Sequence, residues 1–113
     1  MMHVQIAKNI TLQTLKPGVT RRIAHLEKIL TAVITFENGP MEEPDPPHSH
    51  PHEQITYVAE GELYFFIDNK KHRLQQGDMF MVPSGMPHTI QTLTTKVVLI
   101  DSFSPVREDF LKG

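Results

Sequence analysis

The 113 residues suit one domain around a single core, and a net charge of −2 with acids and bases interspersed excludes nucleic-acid binding or a charge-driven partner. No apolar run is long enough to span a bilayer and MMHVQIAKNI lacks a signal-peptide pattern, so a cytoplasmic protein with no membrane contact is expected. Cysteine is absent, which leaves histidine, carboxylate and amide groups as the only side chains to hold a metal.

Taken in chain order, the apolar residues alternate instead of recurring at helical spacing. In KILTAVITF, Leu30, Ala32, Ile34 and Phe36 share one face, and the segment is rich in β-branched residues that pack well on a pleated surface. The polar, proline-rich NGPMEEPDPP then reads as a surface loop leading into PPHSHPHEQ. Short alternating runs follow: QITYVA, ELYFFID, HRLQ, MFMVP, HTIQTL and KVVLID. Turn signals separate them at Glu60-Gly61, Asp68-Asn69, Gln76-Gly77-Asp78, Pro83-Ser84-Gly85 and Thr94-Thr95. Strands this short and evenly punctuated predict an all-β antiparallel sandwich or barrel. Only PVREDFL, after Pro105, predicts a turn of helix.

Three of the chain's seven histidines fall within PPHSHPHEQ. Along an extended strand His48, His50, His52 and Gln54 share a parity, so histidines at i and i+2 can converge on one ion. His88, in GDMFMVPSGMPHTI, is the candidate for a further ligand from a distant segment. His3, His25 and His72 stand alone and read as surface or strand residues.

These two stretches resemble the paired motifs of the cupin family. His48, His50, position 54 and Gly61 fall at the spacing of the first cupin motif, and Gly77, Pro83, Gly85 and His88 at that of the second. The resemblance implies a double-stranded β-helix barrel enclosing a divalent transition metal (Zn, Ni, Fe, Mn or Cu), held by His48, His50, Gln54 and His88. The chain departs from the motifs where Gln54 replaces the carboxylate, Glu42 the opening glycine and Thr92 the closing asparagine. Four neutral ligands leave the ion its full positive charge, which favours a Lewis-acid role over a redox one. The motif does not require His52 or Glu53, which read as rim or supporting residues.

In KVVLIDSFSPVREDFLKG, Val97, Leu99, Asp101 and Phe103 share a face. Asp101 is then either a cavity-facing acid whose pKa burial would raise, or a hydrogen-bonded acid at a strand end. Arg107 is either its partner, a carboxylate clamp, or a residue closing the barrel mouth. HSHPHEQ, this tail and GVTRRI together resemble the KdgF-type cupins of pectin and alginate breakdown. That resemblance implies conversion of 4,5-unsaturated uronate monosaccharides, a sugar acid, into linear keto forms, with Asp101 and Arg107 catalytic and Phe103 and Arg107 on the substrate. Alternatives are a quercetinase-like dioxygenase, a polyketide-cyclase-like enzyme and a non-catalytic sugar-sensing cupin. Exposed sheet edges, which a partner chain can cover, predict a homodimer, with Val4 to Leu15 as a segment that could exchange between copies.

Overall fold

The computed structural model describes residues 3–111. A single turn of 3-10 helix at Ala7–Asn9 is followed by nine strands: β1 (Gln13–Lys16), β2 (Val19–His25), β3 (Leu30–Phe36), β4 (Glu53–Glu60), β5 (Glu62–Ile67), β6 (Lys70–Gln75), β7 (Met79–Val82), β8 (His88–Thr92) and β9 (Val97–Ser104). One short helix, α1 (Glu108–Leu111), ends the described chain and bears out the turn expected after Pro105. All strand pairs are antiparallel. Six strands form one sheet in the order β1-β2-β3-β9-β4-β7 and three form the other in the order β6-β5-β8. Packed face to face, they make the double-stranded β-helix of the cupin fold. No helix among the described residues is long and apolar enough to cross a membrane.

The alternation of the sequence becomes rows of inward side chains across the large sheet. Val19, Phe36 and Val97 are in register at one end, and Ile23, Ala32, Asp101, Thr56 and Phe80 align nearer the other. The first rows, with Val58, Leu63, Phe65 and Leu99, make an apolar core. Burying a side chain such as Leu63, which is fully hidden, stabilises by roughly 1.5–3 kcal/mol. Further along the same strands the inward residues turn polar, with Gln54, Thr56 and Asp101 buried beside Leu30, Ala32 and Phe103. One cavity is lined by these polar residues together with Val19, Phe36, Phe80 and Leu99 of the apolar core.

Two turns control the registers that align these rows. Asp68 and Asn69 both adopt positive φ (51° and 58°), the conformation that joins β5 and β6 as a tight hairpin. Gly61, at φ +86°, joins β4 to β5, and a Cβ there would collide with the Lys96 carbonyl. Strands β1 and β2 were not expected from the sequence. GVTRRI does alternate, but Arg21 and Arg22 sit inside it and mask the apolar period. Arg21 is nonetheless inward and buried.

Candidate metal centre and adjoining cavity

The histidines meet through backbone pairing between distant segments. The His48 N–H donates to the His88 carbonyl at 3.0 Å, and the His88 N–H returns the bond to His48 at 2.9 Å. The Gly85 N–H bonds the His50 carbonyl at 2.8 Å and the Ser84 hydroxyl bonds the Pro51 carbonyl at 2.6 Å, which fastens the loop before β8 onto the histidine segment. The expected strand parity over 48–54 is corrected here: β4 begins only at Glu53, and the chain bends at Pro51 and His52. Proline interrupts the extended chain, so the histidines diverge from simple alternation. His48, His50 and His88 each offer a nitrogen within 4.8 Å of the others, and His52 stands outside this group.

Main-chain carbonyls set the imidazole tautomers. Nδ1–H of His50 donates to the His52 carbonyl and Nδ1–H of His88 to the Met86 carbonyl, each at 2.9 Å. A carbonyl only accepts, so in each neutral ring the lone pair is on Nε2. Nε2 of His88 is buried without a hydrogen-bond partner. Nε2 of His50 lies 3.1 Å from Oε1 of Gln54, another acceptor. Two facing acceptors repel unless a cation is shared between them, so this donor set fits a divalent metal ion.

The orientation of Gln54 is fixed from its far side. The Thr56 hydroxyl donates to Oδ1 of Asp101 at 2.6 Å and therefore accepts from Nε2 of Gln54, at 2.9 Å. With the amide nitrogen so committed, Oε1 must face His50. The register explains the chain of contacts: Thr56 of β4 stands opposite Asp101 of β9, and Gln54 opposite Phe103. Thr56 was not singled out in the sequence, although its position two residues after Gln54 puts it on the same face.

Asp101 is the inward acid that the alternation of β9 allows, and only 5% of it is exposed. Burial pushes its carboxyl up to about 6, against the opposing effects of the Thr56 hydrogen bond and the Arg107 charge. Desolvation, reinforced by neighbouring positive groups, lowers the pKa of His48 and of His88, which keeps both imidazoles neutral and free to bind metal. Arg107 does not pair with Asp101. Its Nε and Nη2 hold the two carboxylate oxygens of Asp109 at 3.0 and 2.7 Å, and its guanidinium lies 5.0 Å over Phe103 and 4.3 Å over Phe110.

These side chains surround one cavity of about 350 Å³, within the ~300–1,000 Å³ usual for small-molecule sites. His48, Gln54, His88, Asp101, Phe103 and Arg107 line it, together with Arg21 and Phe110, which the sequence alone had not marked. A separate groove, between the β5–β6 hairpin and the loop before β8, touches His88 but contains neither Gln54 nor Asp101.

Comparison with known proteins agrees with this architecture. The cupin domain family matches residues 32–103. The pectin degradation protein KdgF of Dickeya dadantii (strain 3937) is 35% identical over 101 residues, covering 88% of this chain and 89% of the relative. The structure of KdgF from Halomonas sp. superposes with a TM-score of 0.83 at 33% identity, covering 93% and 94% of the two chains. An RmlC-like cupin from Shewanella frigidimarina NCIMB 400 superposes with a TM-score of 0.86 at 31% identity, covering 97% and 96%. From its motifs, its fold and these likenesses, the chain belongs to the cupin family and resembles the KdgF proteins within it.

Proposed function

We propose that this protein is a metal-dependent enzyme converting 4,5-unsaturated uronate monosaccharides into their linear keto forms. The observation that carries the reading is a buried carboxylate, Asp101, which through Thr56 fixes Gln54 beside a three-histidine cluster, with Asp101, Gln54, His48 and His88 lining one cavity. The likeness to a protein named for pectin degradation supplies the substrate class. His48, His50, His88 and Gln54 would hold the metal. When bound, a divalent ion supplies Lewis acidity towards the oxygens of the sugar acid.

Asp101 does the proton work. In the conversion the bond between the ring oxygen and the anomeric carbon breaks: the anomeric hydroxyl gives up its proton and becomes the aldehyde, and the enol left on the ring oxygen becomes the ketone as the former double-bond carbon takes a proton. An acid with a pKa near 6 exchanges protons in both directions near neutral pH. Thr56 holds Oδ1 and fixes the direction in which the carboxyl faces the cavity. Arg107, bonded to Asp109 and not to Asp101, offsets part of the burial that disfavours ionised Asp101. Phe103, edge-on to the His50 ring at 5.8 Å and beneath Arg107, offers an apolar face to the sugar ring. Outside the barrel, Ile55, Tyr57, Met79 and Met81 form cross-strand pairs on β4 and β7 and are 40–65% exposed, an apolar face suited to a second copy of the chain.

The test is ultraviolet absorbance of unsaturated galacturonate mixed with metal-loaded protein. Accelerated loss of the conjugated chromophore, without oxygen uptake at an oxygen electrode, is the expected outcome. An unchanged decay would remove this substrate, and stoichiometric oxygen consumption would move the protein to the dioxygenases.

A further inference from the structure

Arg21 is a buried guanidinium to which the chemistry above gives no part. It points inward from β2, is only 9% exposed, and lines the same cavity as Gln54, His88 and Asp101. A buried cation is costly unless an anion accompanies it. Among the described residues no carboxylate lies within ion-pair distance of Arg21. Its one side-chain hydrogen bond there runs from Nε to the neutral Oε1 of Gln13 on β1, at 2.9 Å. Nη1 and Nη2 thus find no acceptor among the described residues. Burial works against its charge and Arg107 adds to that, while Asp109, beyond ion-pair distance, partly offsets both.

The geometry separates the two arginines of the cavity. Both guanidinium groups lie against the Phe110 ring, Arg21 at 4.1 Å and Arg107 at 4.3 Å from its centroid. Arg107, however, spends Nε and Nη2 on Asp109, and Asp109 spends both oxygens on Arg107. Arg21 is held by Gln13 and Phe110 at its edge and face, so its rotamer is set before any ligand arrives. A preset guanidinium with free terminal N–H groups is a bidentate receptor for a carboxylate.

We propose that Arg21 is the residue that recognises the carboxylate of the cavity's sugar-acid ligand, and that Arg107 instead anchors Asp109 and Phe103. This rests on the sugar-acid reading of the cavity and adds to it the group that tells a uronate from a neutral sugar. A carboxylate on Arg21 would place an anion in direct contact, nearer than Asp109, so the same contact that selects the ligand also offsets the burial of the cation.

The experiment measures, by calorimetry on metal-loaded protein, the affinities for D-galacturonate and its methyl ester. Wild type is expected to prefer the acid by about 10-fold or more, the scale of hydrogen bonds to a charged group. Arg21→Gln should reduce that preference to within about 2-fold, whereas Arg107→Gln should keep it. Arg21→Met, which retains length and apolar contact with Phe110, gives the same reading should the Gln variant fail to fold. A preference absent from wild type, retained in the Arg21 variants, or abolished only in Arg107→Gln overturns the assignment. Absence of turnover with unsaturated uronates would count against the proposed reaction alone, because the binding ratio needs no turnover.

Discussion

At the scale of single residues, the site is ordered by which groups can donate and which can only accept. Asp101 accepts from Thr56, Thr56 from Gln54, and Gln54 is left to present oxygen beside His50. Gln54→Glu should therefore tighten metal retention by about 10-fold or more in chelator competition, because an anionic oxygen replaces a neutral one. Asp101→Asn should keep an acceptor for Thr56 but lose the transferable proton, lowering turnover of unsaturated galacturonate by about 10²–10⁴. Its effect on stability has the opposite sign. The carboxyl binds its proton more tightly when folded (about 6) than at its ordinary value of 3.8. Between those pH values the folded chain keeps a proton that the unfolded chain has released, so stability of the metal-free protein falls as pH rises through the window. At pH 7 Asp101→Asn should then be the more stable by an order of 2–3 kcal/mol at most, read as a raised Tm, and its stability should vary less with pH from 4 to 6.

At the scale of elements, the loop that brings His48 to His88 matters more than any strand. Strand parity correctly puts Asp101 on the inward face of β9, since Val97, Leu99, Asp101 and Phe103 are all buried. The same rule applied over 48–54 does not by itself bring His48, His50 and His88 together, because Pro51 bends the chain and a mutual backbone pair between His48 and His88 sets them side by side. Gly61 shows how far a turn controls the rest. Its positive φ and the nearby Lys96 carbonyl leave no room for a side chain. Gly61→Ala should cost about 1–3 kcal/mol or more in denaturant unfolding, with no loss of metal affinity per folded molecule, since the turn is remote from the histidines.

At the scale of the whole molecule, an apolar core and a group of inward polar residues share one cavity, and exposed apolar side chains lie on the outer face of β4 and β7 and along the N-terminal segment. Gln13–Lys16 pairs with β2 of its own chain, and Gln5 bonds the Ile23 carbonyl, while Val4, Ile6, Leu12 and Leu15 stay 46–66% exposed. On β4 and β7 the neighbouring Ile55–Met81 and Tyr57–Met79 pairs are also exposed, and a second copy of the chain could cover them. Light scattering at micromolar concentration should give twice the 12.9 kDa chain mass, and Ile55→Glu with Met81→Glu should shift the protein towards monomer without unfolding it. A monomeric wild type would remove the homodimer from the account.

The sequence by itself determined the alternation that makes an all-β barrel, the spacing that marks His48, His50, Gln54 and His88, and the parity that turns Asp101 inward. Those are local properties, set by residue period and motif distance. Three further facts come from the folded chain alone: Thr56 joins Gln54 to Asp101, Arg107 is held by Asp109, and Arg21 faces the cavity with no carboxylate of the described residues within ion-pair distance. Each of those facts depends on which strands become neighbours across the sheet and where a short helix folds back. Pairings between residues far apart in the chain follow from the packing of the whole barrel, and no local pattern in the sequence encodes them.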